Sequence, residues 1–345
     1  LWSYSSDLPF LSVAMGDIDG DKDAEIIAGS FLGQVFVFDG KGKLLWKREF
    51  GQKNLVSAVA CGDLDGRKGD EILVGTSLKG VFALDGTGRK LWHLKPKDIF
   101  VNTGRTNRQG GRRKKRVSHN KLENVQTIQV VDLDSDGKNE IVVGARPHGM
   151  VVVLDADGRR RWQRSMDRYM DITTAVWAAV GDFLPKQRGL EVFAIAKGTG
   201  IAGHRGEGAA VLLDSCGSGH YLALPKTQFF SAVPINISKG IGSDDVILSS
   251  AARGRGMSRV TFSDGGIDQL EGYCDDIELK ILNGLPRVKK GAKAASKNRI
   301  DRIFHFLFRV DYRDIYRKNR KFVESFLRPV WNIPGNNAIV ITGLK

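Results

Sequence analysis

The sequence has little cysteine, little proline and no long apolar segment. Its 345 residues contain only Cys61, Cys216 and Cys274, which are too few and too scattered for a disulfide framework or a cysteine-based metal site. No uninterrupted apolar run approaches the ~18 residues that suggest a transmembrane helix. Nine prolines stand against 41 glycines, and glycine at about 12% of the chain exceeds the usual ~7%. This composition favours many tight turns that join short strands.

Positive charge is concentrated in two segments. The formal net charge is +14, but residues 95–121 carry +9 and residues 287–328 carry +10, which leaves −5 for the rest of the chain. Within the first segment, the run RTNRQGGRRKKR contains seven cations, which are Arg105, Arg108, Arg112, Arg113, Lys114, Lys115 and Arg116. Such a run is typical of polyanion contact or of a solvated loop. Because no aromatic side chain lies among these cations, sequence-specific nucleic-acid binding is not expected.

One pattern recurs along the chain: an apolar strand, an acidic loop, a second strand that ends in Gly, a third strand, an Asp-x-x-Gly turn, and a fourth strand that carries Trp. It is complete in the units that begin at Val13, Val59 and Ile128, shorter at Ala178, and eroded at Asn236. The basic segment described above is an insertion between the second and third units. Four short strands in each unit of roughly 45–50 residues are typical of a β-propeller blade.

The repeat predicts an all-β fold, a β-propeller of four-stranded blades. About five blades are recognisable within residues 1–284, and six to eight are expected in total. An open sandwich of the same strands is the alternative. We expect Trp46, Trp92 and Trp162 to pack between blades rather than to stack on a ligand. Trp2 matches the same position of the pattern, so we expect the chain to begin inside a repeat.

The C-terminal part departs from this pattern. In residues 285–330, apolar side chains recur at steps of three to four residues opposite a basic face, which predicts a basic amphipathic helical insertion. We expect it to pack on the propeller or on a partner domain, or to contact a membrane surface. Residues 331–345 include NNAIVITG, which indicates a further strand and the start of another blade.

Two of the acidic loops carry oxygen ligands at alternate positions. The first contains Asp17, Asp19, Asp21 and Glu25, and the third contains Asp132, Asp134, Asp136 and Glu140. Like charges at this spacing repel one another unless a cation lies between them. Six to eight hard oxygens suit Ca²⁺, whereas Mg²⁺ tolerates such a cage of protein oxygens poorly. The sequence therefore predicts two Ca²⁺ sites, with a solvated turn without metal as the alternative.

The remaining loop positions refine this prediction. Gly137 permits a left-handed turn in the third loop, and Lys22 stands at the same position of the first loop. In the second loop, Arg67 replaces the third Asp and is expected to repel a cation. An EF-hand is excluded because its twelfth position needs a bidentate acid, and Ala28 and Val143 stand there instead.

An acidic loop followed by an apolar strand and Gly resembles the FG-GAP/VCBS repeat of integrin α-subunit propellers and of many microbial surface proteins. The resemblance covers about residues 11–265. It implies that the first, third, fifth and ninth loop residues ligate Ca²⁺ through side chains and the seventh through its carbonyl. The second half of each unit, as in GQVFVFDGKGKLLW, is also similar to the repeat of pyrroloquinoline-quinone-type propellers.

Three functions remain open at this point. The first is a Ca²⁺-binding propeller that acts as a recognition or adhesion scaffold, with propeller loops that bind a glycan or a protein. It favours an extracytoplasmic location, where Ca²⁺ is abundant. The second is an enzyme on the same fold, either a polysaccharide lyase or a quinone-dependent dehydrogenase. The third is a polyanion-binding or membrane-surface protein that uses residues 105–116 and 287–328. The fold alone does not decide among them.

Overall fold

The computed structural model describes residues 2, 4, 9–52, 54–99, 125–145, 149–165, 173–184, 186–198, 208–224, 229–235, 244–250, 257–263 and 266–271. Within these ranges, the chain forms twenty strands and one short helix, α1 (Pro96–Ile99). The strands form five antiparallel sheets, each made of four strands that are consecutive in the chain.

The five sheets follow one another along the sequence. Sheet 1 contains β1 (Phe10–Gly16), β2 (Glu25–Ser30), β3 (Gln34–Phe38) and β4 (Leu44–Glu49), and sheet 2 contains β5 (Val56–Gly62), β6 (Glu71–Thr76), β7 (Gly80–Leu84) and β8 (Lys90–Leu94). Sheet 3 contains β9 (Val125–Val131), β10 (Glu140–Ala145), β11 (Met150–Leu154) and β12 (Arg160–Ser165), and sheet 4 contains β13 (Thr173–Gly181), β14 (Glu191–Gly198), β15 (Gly208–Leu213) and β16 (Gly219–Leu224). Sheet 5 contains β17 (Phe229–Ile235), β18 (Asp245–Ser250), β19 (Met257–Ser263) and β20 (Gly266–Glu271).

Successive sheets are arranged as propeller blades. The first strand of each sheet lies beside the first strand of the next, so that β1, β5, β9, β13 and β17 are neighbours in series. Each sheet then runs outward through its second, third and fourth strands. The all-β fold and the four-stranded blades that the repeat predicts are therefore confirmed, including the eroded fifth unit.

Apolar side chains fill the space between successive sheets. Between sheets 1 and 2, Ile27 and Val37 pack with Val74 and Leu84, and similar clusters join the later pairs of sheets. The second strands of sheets 1–3 are buried along their whole length. Those of sheets 2 and 3 have a sheet on both sides, whereas that of sheet 1 packs on sheet 2 with one face and near Trp2 and Tyr4 with the other. Each fully buried Val, Leu or Ile contributes about 1.5–3 kcal/mol, so these interfaces are the main source of stability.

A glycine near the end of the second strand allows the next sheet to approach closely. A Cβ on Gly29 would lie 2.4 Å from Cγ1 of Val56, and a Cβ on Gly75 would lie 2.5 Å from Cγ1 of Val125. Both valines belong to the first strand of the following sheet. The recurring glycine is therefore required by packing between sheets rather than by the turn that follows it.

The recurring tryptophans connect neighbouring sheets, as the sequence predicts. The indole Nε1 of Trp46 donates to the carbonyl of Gly86 at 2.9 Å, and that of Trp92 donates to the carbonyl of Ala156 at 3.2 Å. Each acceptor lies in the Asp-x-x-Gly turn of the next sheet. Trp2 makes the same contact with the carbonyl of Gly40 at 3.1 Å, as its place in the repeat indicates.

Several predictions fall outside the described residues. These are the cation run Arg105–Arg116, the helical insertion at 285–330 and the further strand at 331–345. Among the described residues, no helix has the length and hydropathy of a membrane span.

Candidate cation-binding loops

The loop between the first and second strands has the same frame in sheets 1–4. Its last residue is a buried glutamate that begins the second strand, namely Glu25, Glu71, Glu140 and Glu191. In each loop, one carboxylate oxygen of this glutamate accepts a backbone N–H from the second or third loop residue, at 2.8–3.1 Å. The fourth loop lacks the acids at positions three and five, and its glutamate still makes these bonds. The glutamate therefore closes the loop whether or not a cation set is present. Sheet 5 has the buried Asp245 in its place.

Burial raises the pKa of all four glutamates. In the first loop, the charges of Asp19 and Asp21 raise the pKa of Glu25 further, whereas the hydrogen bond from the Ile18 N–H lowers it. The folded loop therefore holds negative charge at a cost, and a cation placed among these oxygens would remove that cost.

The first loop brings Asp17, Asp19 and Glu25 together, with one carboxylate oxygen of each within 4.8 Å of the others. Asp17 Oδ2 accepts the Lys22 N–H at 3.0 Å, but Asp17 Oδ1 is buried without a hydrogen-bond partner. A buried acceptor without a partner costs free energy unless a ligand satisfies it. Asp21 lies outside this group. Its Oδ1 accepts the backbone N–H of the residue two positions further along the loop, at 2.8 Å. This set of hard oxygens fits a divalent cation such as Ca²⁺.

The backbone of the first loop confirms the requirement for left-handed residues. Gly20 and Lys22 have φ of 74° and 79°, and Ser135 and Gly137 at the same positions of the third loop have φ of 59° and 87°. Lys22 therefore adopts a conformation that favours glycine, as its place in the sequence pattern indicates.

The third loop also gathers three aspartates, but it holds a cation from its own chain. Asp132, Asp134 and Asp136 have oxygens within 4.8 Å of one another. The guanidinium of Arg161, on β12, contacts Asp134 Oδ2 at 2.5 Å and Glu140 Oε1 at 3.0 Å. It also lies 3.7 Å from Asp136 Oδ2. Asp134 Oδ1 is buried and has no hydrogen-bond partner.

The second loop forms a group that reasoning from the sequence missed. Asp63, Asp65 and Glu71 have oxygens within 4.8 Å of one another, although this loop carries Arg67 in place of an Asp. The Arg67 side chain is 84% exposed and lies 3.7 Å from Asp65, so it points into solvent instead of into the group. The signal in the sequence was the acid at loop positions one, three and nine, which all three loops share.

Hydrogen bonds to backbone carbonyls connect the first three loops to the loop of the next sheet. The Asp70 N–H donates to the Asp17 carbonyl at 2.8 Å, and the Leu190 N–H donates to the Leu133 carbonyl at 2.8 Å. Between these, Asn139 Nδ2 donates to the Asp63 carbonyl at 2.8 Å. The loops therefore lie at one end of the sheets, where a cation bound in one loop would also stiffen its junction with the next.

Comparisons with known proteins agree with the fold. A family model of the lambda-carrageenase beta-propeller domain matches residues 25–114. No curated protein matches the sequence. The resemblance to the FG-GAP/VCBS repeat therefore stays a prediction, whereas the β-propeller is supported.

Three solved structures illustrate the similarity of the backbone. The Dos1 propeller is 12% identical, with a TM-score of 0.48 over 72% of this chain and 56% of that one. The Vibrio cholerae biofilm matrix protein Bap1 is 12% identical, with a TM-score of 0.42 over 75% and 61%. BamB from Moraxella catarrhalis is 13% identical, with a TM-score of 0.38 over 78% and 62%. The chain thus spans less than two thirds of the length of each of these proteins.

Proposed function

We propose that this chain is a Ca²⁺-binding β-propeller that serves as a recognition scaffold for a glycan or a protein. The observation that carries the proposal is the first loop, where Asp17, Asp19 and Glu25 converge and Asp17 Oδ1 is buried without a partner. Carboxylate oxygens at this spacing are the ligands that Ca²⁺ prefers, and the chain's own carbonyls and water complete its coordination in such loops.

The position of the loop relates the cation to the scaffold. The Asp17 carbonyl accepts the Asp70 N–H of the next sheet, so the first loop is part of the junction between sheets 1 and 2. A cation that fixes the loop would fix this junction, which keeps the surrounding surface in one conformation. Preorganisation of this kind lowers the entropy cost of binding a partner.

We favour a glycan as the ligand class, and the support is the family model that matches residues 25–114. The matching family model describes the propeller domain of an enzyme named for λ-carrageenan, a sulfated polysaccharide. This similarity also favours a second candidate function, an enzyme that cleaves polysaccharide. Neither the scaffold nor the enzyme requires a quinone cofactor, and the quinone-dependent dehydrogenase stays an alternative from the sequence alone.

The basic segments are the proposed place of contact with acidic ligands. Residues 105–116 and 287–328 would attract a sulfated glycan, another polyanion or a membrane surface through charge, and this attraction would weaken as salt increases. We further propose an extracytoplasmic location, where millimolar Ca²⁺ would fill a site of modest affinity.

The Ca²⁺ site is tested by thermal unfolding of the purified chain in EDTA and in increasing Ca²⁺. We expect Ca²⁺ to raise the Tm because it binds the folded loop and not the unfolded chain. Asp19→Ala should reduce this rise, whereas Asp23→Ala, an equal change of charge in the same loop but outside the group of three, should keep it. A Tm that does not respond to Ca²⁺ in the unsubstituted chain would exclude the site.

The two candidate functions are separated with λ-carrageenan as the probe. A scaffold retains the polysaccharide, in a salt-dependent way, without releasing new reducing ends. An enzyme releases them with time. If the chain neither retains nor cleaves this probe, the glycan class that we favour is wrong and a protein partner becomes the better candidate.

A further inference from the structure

Arg161 lies inside the third acidic loop. Its Nη1 contacts Asp134 Oδ2 at 2.5 Å, its Nη2 contacts Glu140 Oε1 at 3.0 Å, and its Nε donates to Asp155 in the adjacent turn. Glu140 is 1% exposed, so the side chain of Arg161 reaches from the fourth strand to a carboxylate that is buried at the base of the loop.

These contacts keep Arg161 charged and fixed in place. Partial burial acts to lower the pKa of Arg161, but hydrogen bonds to Asp155 and Asp134 and the charge of Glu140 raise it above its ordinary value. Both oxygens of Glu140 are then used, because Oε2 accepts the Leu133 N–H at 2.9 Å. A divalent ion at this point would lie close to a guanidinium, and like charges at such a distance repel strongly.

The first and second loops have no such cation at the same place. Arg161 precedes Trp162 in the fourth strand of sheet 3, and Leu45 and Leu91 precede the corresponding tryptophans of sheets 1 and 2. Leu45 is 43% exposed and Leu91 is 42% exposed, so neither fills its loop. The three loops share acids at positions one, three and nine, but only the third has an arginine before the tryptophan of its fourth strand.

We propose that Arg161 is the resident cation of the third loop, which closes without a divalent ion, so that Ca²⁺ binding by this chain falls to the first loop and to the second, whose Arg67 points into solvent. This disagrees with the sequence prediction that Asp132, Asp134, Asp136 and Glu140 hold Ca²⁺. The inference deepens the proposed function and rests on it only for the claim that the first loop binds Ca²⁺. Among the buried carboxylate oxygens that the structure describes in this loop, Asp134 Oδ1 is left without a hydrogen-bond partner.

The number of Ca²⁺ ions bound, measured by isothermal titration calorimetry on the full chain, tests this assignment. Arg161→Leu copies the residue of the first two sheets, and we expect it to bind one more Ca²⁺ than the unsubstituted chain. It should also have a lower Tm in EDTA, and added Ca²⁺ should restore the Tm. Arg159→Leu is the matched control, since the Arg159 side chain is 82% exposed and pairs only with Asp157 among the described ion pairs. An Arg161→Leu chain that binds no additional Ca²⁺ would overturn the proposal.

A second variant tests the proposal without altering Arg161. Asp134→Asn in the unsubstituted chain should leave the number of bound Ca²⁺ ions unchanged, and the loss of one ion would mean that Ca²⁺ displaces the arginine. Asp19→Ala separates the two proposals. If the unsubstituted chain and Asp19→Ala both bind no Ca²⁺ but Arg161→Leu gains one ion, the proposed first-loop site is wrong while the role of Arg161 stands.

Discussion

The indole Nε1 of Trp162, on the fourth strand of sheet 3, donates a hydrogen bond of 2.7 Å to the carbonyl of Ser215 in sheet 4. The same turn contains Gly217, which lies under the indole ring, and the guanidinium of Arg164 donates to the Gly217 carbonyl. One outer strand therefore holds the outer turn of the next sheet by a hydrogen bond, a ring contact and a cation. This contact extends the junction between sheets from the core to the periphery.

Gly217 should be the most sensitive position of this turn. It has φ of 77°, and a Cβ there would lie 2.8 Å from the Trp162 ring. Gly217→Ala therefore adds a steric clash to the cost of a left-handed residue, and we expect a loss of about 2–4 kcal/mol in the free energy of unfolding. Urea unfolding followed by circular dichroism measures this loss.

Gly66 provides the matched control for this substitution. It has φ of 72°, and a Cβ there would meet no atom within 4 Å, so Gly66→Ala carries only the backbone cost of about 1 kcal/mol. Equal losses for the two variants would show that the contact between Trp162 and the turn of sheet 4 contributes little. In a chain that carries Trp162→Phe, Gly217→Ala should cost an amount closer to that of Gly66→Ala, because the effects of substitutions at residues in contact do not add.

The fold was predictable because each unit has to bury its strands against the next unit, and the residues that do so recur in the same order. The order of apolar strand, Asp-x-x-Gly turn and tryptophan recurs often enough to indicate blades. Even the eroded unit keeps an acid at the start of its second strand, Asp245. A lone unit would have been ambiguous, since buried strands of four to eight apolar residues show no alternation.

The site was only partly predictable, because ligand type can be read from spacing but side-chain direction cannot. Arg67 lies between Asp65 and Glu71 in its own loop and yet points into solvent. Arg161, which lies 21 positions after Glu140, reaches into the loop because β12 pairs with β11 and brings it across the sheet. A charged residue within a loop can be read from the sequence. A charged residue that reaches the loop from another strand can be placed only when the pairing of the strands is known.

We expect the backbone of Lys22 to be strained and its replacement by glycine to relieve that strain. Its φ is 79°, where Gly137 of the third loop has 87°. We expect Lys22→Gly to be more stable than Lys22→Ala by about 1 kcal/mol in EDTA, since both remove the charge and only the alanine keeps a Cβ. The reverse change, Gly137→Lys, should cost a similar amount. If Lys22→Gly and Lys22→Ala unfold at the same urea concentration, the left-handed conformation of this residue is not strained.

Cys61 should resist alkylation in the folded protein. Burial, followed by the charges of Asp70 and Glu25, raises the pKa of the Cys61 thiol to about 12. At pH 8, roughly one such thiol in ten thousand is then a thiolate, and the thiolate is the reactive form. We expect iodoacetamide to modify the exposed Cys216 at least about 100-fold faster than Cys61, as measured by mass spectrometry of peptides. Both should react at similar rates in guanidinium chloride, and similar rates in the native protein would contradict the burial of Cys61.

Glu191 should make the stability of the protein depend on pH. Its carboxylate accepts the N–H groups of Phe183 and Leu184 at 2.9 and 2.8 Å, but burial outweighs these bonds and raises its pKa. A carboxyl with a raised pKa binds its proton more tightly in the folded state. The free energy of unfolding that it contributes therefore falls as pH rises from about 4.3, the ordinary glutamate value, through the folded pKa.

Glu191→Gln isolates this contribution because glutamine keeps an oxygen acceptor and never ionises. Relative to the unsubstituted chain, we expect the variant to gain stability between pH 5 and pH 7.5, by about 1.4 kcal/mol for each unit by which folding raises the pKa within that range. Urea unfolding in EDTA at the two pH values measures the difference. Glu49→Gln, at an exposed glutamate of β4, is the control for a simple change of charge. If both variants respond to pH alike, the buried carboxylate of Glu191 does not reduce the free energy of unfolding. Glu25 occupies the same place in the first loop, so the case for a cation there would then be weaker.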